Sequence, residues 1–205
     1  GGLYRMVKLV TVPENHFCME YAGSNGIKVT PEVTILDAGA KKADAEVTVE
    51  LWIEGKSADV MVTVGGEKKS VPVEHGYAKA VFDLTDVHLW DGVDDPYLYT
   101  AKAELSDGDS VETTFGCRSF SIDPQKGFFL NGRSYPLRGV SRHQDRAGAG
   151  NALTNEMHRE DMEIIKELGA NTIRLAHYQH AQEFYDLCDE NGMIVWAEIP
   201  YITMH

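Results

Sequence analysis

Apolar and polar residues alternate with a period of two over roughly the first 122 positions, which is the spacing of strands with one buried face. The clearest run is VTVELWI at 47–53, and an earlier one starts at Val29. Turn-forming stretches such as 24–26 and 65–66 separate the runs, and no helical pattern interrupts them. This arrangement predicts an antiparallel β-sandwich of immunoglobulin-like type, although periodicity alone does not distinguish a sandwich from a barrel.

The pattern changes after a predicted short linker at 121–127. Apolar residues then follow helical spacing over 155–168, with Asn155 as the expected N-cap and Gly169 as the expected stop. A second, shorter helix is predicted to end at 191–192. Helices that alternate with strands indicate parallel βα units.

Three apolar runs, at 135–143, 171–177 and 193–198, are predicted to be the parallel strands of a β-α-β-α-β unit. Each run ends in polar residues. In a β/α barrel the active site is built at the C-terminal ends of the strands. Only three such strands precede His205, so we expect these residues to form one part of an active site.

Charge and composition narrow the possible partners. The chain has 19 Lys and Arg against 32 Asp and Glu, a formal net charge of −13. This balance argues against a nucleic-acid partner or an anionic membrane surface, because binding a polyanion requires clustered cations. No run is long and apolar enough to span a bilayer. The chain opens at Gly1 without an initiator Met, so we expect an internal fragment whose parent is cytoplasmic or exported.

The three cysteines lie far apart, which predicts neither a disulfide framework nor a close-set metal pair. Cys18, Cys117 and Cys188 are therefore expected to be buried free thiols. Trp52 and Trp90 are expected in the core and not on a sugar-binding platform.

Two strand ends carry candidate chemistry. His143 could donate a hydrogen bond to a substrate hydroxyl or carry a proton, or it could be a structural histidine bonded to nearby carbonyls. Arg174 and His177 are three residues apart, so a regular strand puts them on opposite faces, and the loop must turn His177 towards the barrel mouth. Arg174, pointing inward, needs an anionic partner, which is either a functional carboxylate or a structural ion pair.

Glu198 ends the third run and could be a catalytic acid, a metal ligand or the partner of Arg174, with a structural role favoured. Tyr178 and His180, in the loop after the second strand, are expected to be architectural. The acidic turn at 91–95 offers too few oxygen ligands for a calcium site.

Several segments together resemble glycoside hydrolase family 2, and within it the β-galactosidases. In the second half these are FLNGRSYPLRGVSRH (129–143), DM and KELGANTIR (within 161–174), AHY (176–178) and FYDLCD (184–189). In the first half they are GGLYR (1–5), LW with PYLY (89–90 and 96–99), and FGCR (115–118). The resemblance covers nearly the whole chain.

The resemblance implies multi-domain β plus α/β architecture. Residues 1–12 would end an N-terminal sugar-binding jelly roll, and 13–122 would form an immunoglobulin-like sandwich. Residues 123–205 would supply the first three strands of a truncated (β/α)8 TIM barrel. We expect the exposed strands to self-associate by covering three residues of the third strand, Ile194, Val195 and Trp196.

The resemblance also implies a retaining β-glycosidase, most simply a β-galactosidase, that hydrolyses terminal β-linked sugars of an oligosaccharide. Its two catalytic glutamates would follow the fourth and seventh strands, beyond His205, so no residue here is assigned a catalytic role, Glu198 included, and the fragment is expected to be inactive. His143 and His177 match histidines that contact the sugar. Arg174 matches the arginine that keeps the nucleophile carboxylate ionised.

A magnesium site found in many relatives is not matched. Its Glu and His ligands would fall at Ile202 and Met204, with His205 one step out of register, so no cofactor is expected for these residues. The mismatch leaves β-glucuronidase and β-mannosidase as alternatives within the same family. A non-catalytic immunoglobulin-like interaction module remains the alternative from another class.

Overall fold

A computed structural model describes residues 4–5, 7–19, 21–106 and 108–200. Its first half contains two four-stranded antiparallel sheets. In the first sheet β3 (Lys42–Glu54) lies between β2 (Ile27–Asp37) and β6 (Tyr77–Leu84), and β1 (His16–Phe17) pairs with the end of β3. The second sheet has the order β5 (Glu67–Pro72), β4 (Asp59–Val64), β7 (Tyr99–Leu105) and β8 (Ser110–Phe115).

The alternation predicted from the sequence is the burial pattern of these strands. Along β3 every second side chain from Ala43 to Ile53 is buried, and Val60, Val62 and Val64 of β4 are fully buried in the same core. Burial of these aliphatic side chains holds the sheets together. The sandwich expected from periodicity is therefore observed.

The cysteines agree in part with expectation. All three are free; Cys117 and Cys188 are buried, whereas Cys18 is only partly buried, because it lies outside the strands in the segment after β1. Burial raises the pKa of Cys117 to about 11 and that of Cys188 to about 12.

The segment predicted as a linker is instead a small antiparallel sheet. Its strands are β9 (Phe120–Asp123), β10 (Gly127–Leu130) and β11 (Arg133–Ser134). The turn between β9 and β10 is closed by Asp123, whose Oδ1 accepts hydrogen bonds from the backbone N–H groups of Gln125 and Lys126, both at 2.8 Å. This aspartate-directed turn converts a Pro-containing stretch into a hairpin.

The second half contains the predicted β-α-β-α-β unit. The elements are β12 (Gly139–Arg142), α1 (Asn155–Glu167), β13 (Thr172–Leu175), α2 (Gln182–Glu190) and β14 (Ile194–Ala197). The three strands are parallel in the order β12, β13, β14. One sheet face packs on the helices, with Ile173 and Leu175 fully buried against Met162 and Phe184.

Two boundaries differ from prediction. The first strand is shorter than the run 135–143, because Pro136 and the residues before Gly139 cross from the small sheet without pairing in the parallel ladder; two of its four positions are exposed. Helix α1 is capped by Thr154 and not by Asn155; the Thr154 hydroxyl accepts from the Met157 N–H at 3.4 Å. Gly169 adopts a positive φ of 71° after the helix, as expected of a C-terminal stop.

The two halves meet at a tightly packed junction, formed by residues 90–92 of the sandwich and by residues 131–133 and 189–192 of the later elements. Trp90 is buried, and its indole N–H donates to the backbone carbonyl of Asp189 at 2.8 Å. Gly92 and Gly192 lie so close that a Cβ added at Gly192 would overlap the Gly92 carbonyl. The core position predicted for Trp90 is confirmed, and Trp52 is partly buried, stacked on Tyr21.

No helix within the described residues is long and apolar enough to cross a membrane. In the described ranges before β1 no strand is assigned, and residues 1–3 and 6 lie outside them. A preceding jelly roll that ends at residue 12 therefore stays a prediction, as do the domain boundaries.

Candidate functional site

The predicted site residues converge at the C-terminal edge of the parallel sheet. Registry places Arg174 of β13 beside Ser141 of β12 and Trp196 of β14, on the sheet face turned away from the helices. His177 follows the end of β13, and Glu198 follows the end of β14. Three separate sequence segments thus deliver polar side chains to one location.

Arg174 and Glu198 form a bidentate salt bridge. The Nε and Nη2 groups of Arg174 donate to the two carboxylate oxygens at 2.7 and 3.1 Å. Hydrogen bonding from Arg174, with a further contribution from His177, holds the pKa of Glu198 below its usual range. Of the roles open to Glu198, the structure supports partnership with Arg174, because an ionised carboxylate is unsuited to donate a proton.

His177 joins the same pair. Its Nδ1 lies 3.0 Å from Glu198 Oε2 and 3.1 Å from Arg174 Nη2. Since Nδ1–H donation best satisfies the carboxylate, Nε2 is left for another contact, and it makes no hydrogen bond within the described residues. The peptide bond between Ala176 and His177 is cis. Although a regular strand would put Arg174 and His177 on opposite faces, the strand ends at Leu175, and the following backbone brings the two side chains together.

His143 completes the cluster. Its ring centroid is 5.3 Å from that of His177 and 6.1 Å from that of Tyr178. His143 is exposed and, among the described residues, has no hydrogen-bond partner, so the structural alternative of a histidine bonded to nearby carbonyls is not what the structure shows. Tyr178 has an architectural contact, because its hydroxyl accepts from the Gln144 N–H at 3.1 Å.

A second polar cluster behind the strand ends was missed from the sequence. Arg142, at the end of β12, faces the helices and contacts Asp161 and His158 of α1 and His180 of the loop after β13. Its signal in the sequence is the same as that of Arg174: Arg142 shares its strand face with Val140, and a cation on a buried face needs an anionic partner. The architectural role expected of His180 agrees with its burial.

The described residues contain no group of three or more His, Cys, Asp or Glu side chains arranged to hold a metal ion. Ile202, Met204 and His205 lie outside those residues, so the expectation about magnesium stays a prediction. In the 91–95 turn, the buried Asp91 carboxylate is bound by Arg133, Lys41 and Asn131, which occupies the oxygens that a cation would need.

Comparison with known families identifies the chain. Residues 20–118 match the model described as "Glycosyl hydrolases family 2", and residues 122–205 match "Glycosyl hydrolases family 2, TIM barrel domain". The chain belongs to glycosyl hydrolase family 2. Its fold is an immunoglobulin-like sandwich followed by the first three strands of a TIM barrel.

Three similar proteins illustrate the relationship. The β-glucuronidase of Bacteroides fragilis is 38% identical, covering 98% of this chain and 31% of the relative. The β-galactosidase of Thermoanaerobacterium thermosulfurigenes is 39% identical over 62% of this chain and 18% of its own length. The crystal structure of the FMN-binding β-glucuronidase from Facaelibacterium prausnitzii L2-6 superposes with a TM-score of 0.82 at 43% identity, covering 92% of this chain and 30% of that one. The chain thus spans about a third or less of the length of these relatives.

Proposed function

We propose that the full-length protein is a retaining β-glycosidase, and that these residues supply the sugar-binding side and the nucleophile support of its active site. The observation that carries the proposal is the convergence of His143, His177 and the Arg174–Glu198 pair at one edge of the parallel sheet. In TIM barrels that edge is where substrates bind.

Each residue has a role that suits its geometry. The open ring edges of His143 and His177 are placed to hydrogen-bond the hydroxyls of the terminal sugar. Glu198 fixes two of the donor groups of Arg174 and leaves Nη1, which has no hydrogen bond within the described residues, for the nucleophile carboxylate. A guanidinium beside that carboxylate favours its ionised form, which is the form that attacks the anomeric carbon.

Two sugars are the leading candidates. β-Glucuronidases and β-galactosidases both match almost all of this chain, at 38% identity for the β-glucuronidase named above and at 29% and 30% for two β-galactosidases, so a β-glucuronide is the first candidate and a β-galactoside the second. Assaying the full-length protein on nitrophenyl β-glucuronide, β-galactoside and β-mannoside separates these candidates. Proton NMR of the first-formed sugar tests retention. Absence of hydrolysis on all three would instead favour a non-catalytic module.

The site assignment is tested by His177→Ala in the full-length protein. Losing a contact that strengthens in the transition state should lower kcat/KM by roughly 10²-fold or more. The matched control is His88→Ala, which removes an exposed sandwich histidine whose ring contacts Asp95 and stacks on Tyr97. Equal activity of the two variants would contradict the assignment.

Residues 1–205 expressed by themselves should release no nitrophenol from these substrates, because the resemblance places both catalytic glutamates outside them.

A further inference from the structure

The Arg142 side chain is the centre of a buried hydrogen-bonded network behind the strand ends. Its Nε and Nη2 groups donate to Asp161 Oδ2 at 3.0 and 2.7 Å. Nη1 donates to His180 Nδ1 at 3.1 Å, and Nη2 also donates to His158 Nδ1 at 2.9 Å. The guanidinium carbon lies 3.8 Å from the ring centroid of Phe184, so the buried cation also makes a cation–π contact.

This network fixes the protonation pattern of both histidines. Arginine has only donors, so Nδ1 of His158 and Nδ1 of His180 must be unprotonated acceptors. His180 then carries its proton on Nε2, which donates to the backbone carbonyl of Ala176 at 3.0 Å. Two neutral imidazoles with defined tautomers result, and His180 becomes a relay between Arg142 and the backbone after β13.

The network ends at the two residues that precede the sugar-facing histidines. Arg142 is followed directly by His143, and Ala176 by His177. A backbone hydrogen bond links the two ends of the network directly, because the Ala176 N–H donates to the Arg142 carbonyl at 3.1 Å. Ala176 is therefore held through its N–H by the Arg142 backbone and through its carbonyl by His180, which the Arg142 side chain orients.

We propose that Arg142, acting through His180, is a positioning residue that sets the mutual placement of His143 and His177. This rests on the proposed glycosidase function, but the geometric part of the proposal is independent of it. His143 makes no hydrogen bond within the described part of the chain, so the backbone places its ring, whereas the His177 ring is also held by Glu198, whose Oε2 lies 3.0 Å from Nδ1. The 5.3 Å spacing of the two rings therefore depends on the backbone contacts at Arg142 and Ala176 together with the contact between His177 and Glu198.

A matched pair of variants in the full-length protein tests the proposal. Arg142→Lys retains the charge but cannot reach Asp161, His158 and His180 together, because an ammonium lacks the planar fork. Arg146→Lys is the control, since Arg146 also pairs with Asp161, at 2.9 Å, and with Glu160, but contacts neither His180 nor Ala176. We expect kcat/KM to fall roughly 10- to 100-fold for the Arg142 variant, chiefly through kcat, and far less for the Arg146 variant.

A second pair keeps the test decisive if Arg142→Lys does not fold. His180→Gln preserves an acceptor for Arg142 and a donor for the Ala176 carbonyl, whereas His180→Leu removes both. Activity should be largely retained in the glutamine variant and lost in the leucine variant, with both proteins shown to be folded by circular dichroism.

A readout other than activity separates positioning from stability. In nitrogen-15 spectra the ring signals of His143 and His177 should shift in Arg142→Lys and His180→Leu, and stay in place in Arg146→Lys and His180→Gln. Variants that lower Tm while leaving both the ring signals and kcat/KM at wild-type values would overturn the proposal. If the wild-type protein hydrolyses no glycoside, the proposed function fails, and the ring signals still decide whether Arg142 positions the histidines.

Discussion

At the scale of single residues, Asp91 shows how one buried carboxylate can fasten separate parts of the chain. Its side chain is almost fully buried and accepts hydrogen bonds from Arg133, Lys41 and Asn131. Burial alone would raise the pKa of Asp91, but these hydrogen bonds outweigh that effect and hold the pKa below its usual range. The carboxylate therefore stabilises the fold in its ionised form.

Replacing this charge should weaken the fold. We expect Asp91→Asn to lower the free energy of unfolding by about 2 kcal/mol at neutral pH, because two cations lose their partner but remain partly hydrated. Asp94→Asn, an exposed change in the same turn, should cost less than about 0.5 kcal/mol. Urea denaturation followed by tryptophan fluorescence compares the two. Equal stability of the two variants would argue against this account.

The stabilisation by Asp91 should also depend on pH. Because the folded pKa of Asp91 is lowered, its contribution to the free energy of unfolding is present above the unfolded value of 3.8 and is lost as the pH falls below it.

At the scale of elements, helix α1 and the loop before α2 are tied to β12 by neutral histidines. Burial, with the nearby Arg142 cation, lowers the pKa of His158 below its ordinary value of 6.5. Burial also lowers the pKa of His180, although its hydrogen bond to the Ala176 carbonyl opposes the shift. Both effects favour the neutral rings that the Arg142 network requires.

This arrangement predicts an acid-sensitive sheet–helix contact. The unfolded chain binds more protons than the folded chain below about pH 6.5, so the free energy of unfolding should fall as the pH drops, with a slope of up to about 2.7 kcal/mol per pH unit for two such histidines. His158→Gln should reduce that slope, whereas Arg159→Gln, at an exposed position on the same helix, should not. Urea titrations between pH 7.5 and pH 5 measure it. A slope unaffected by His158→Gln would contradict the prediction.

The elements also show what the sequence alone could and could not predict. The sandwich, the order of the β-α-β-α-β unit and the location of His143, Arg174 and His177 follow from periodicity and strand-end position, which are local features. The hairpin at β9–β10 was missed because it depends on one side chain, Asp123, capturing two backbone N–H groups. The Arg142 network was missed because its members are brought together only by the packing of α1 on β12.

The candidate site was likewise predictable only in part from the sequence. The need of Arg174 for an anionic partner was predictable, because an inward-pointing cation must be compensated. Its pairing with Glu198 rests on the registry of β13 with β14, and the approach of His177 to the same carboxylate rests on the backbone after Leu175. Neither is encoded in strand periodicity.

At the scale of the whole molecule, the junction between sandwich and β/α unit is built from close backbone approaches. The facing glycines, Gly92 and Gly192, have φ values of 68° and 72°, which few other residues adopt without strain. Within the sandwich, Gly116 packs against Trp90 of the junction, since an added Cβ there would press on the Trp90 side chain. Such contacts leave the two halves little freedom to shift against each other.

Gly192→Ala should therefore separate or distort the halves. The methyl group would displace the Gly92 carbonyl and impose a strained φ, at a cost of roughly 3 kcal/mol or more. Gly169→Ala is the control: it has a similar φ of 71° but open space around the added Cβ, so it isolates the backbone strain from the steric overlap. Thermal denaturation and protease sensitivity measure the difference. Similar Tm values for the two variants would contradict the role assigned to the junction.

The sheet face opposite the helices predicts self-association of residues 1–205 in isolation. Trp196 is 66% exposed there and Ile194 is only partly buried, whereas Val195 packs towards the helices. Within the described residues β14 has no strand on its outer edge, and an unpaired edge beside an exposed apolar side chain favours pairing with a second copy. Light scattering at high concentration should detect association that Trp196→Ser weakens and that Leu36→Ser, at an exposed sandwich position, does not. A monodisperse monomer would contradict the prediction.

The junction also bears on the order of events during synthesis on the ribosome. All strands of the sandwich, together with Trp90 and Gly92, emerge before Asp189 and Gly192, and domains generally fold in the order in which they are made. The sandwich would thus already be folded, with the indole N–H of Trp90 in position to bind the Asp189 carbonyl, when the end of α2 leaves the exit tunnel. Folded β-structure would then act as an intramolecular template for the later parallel strands, whose pairing is intrinsically slow.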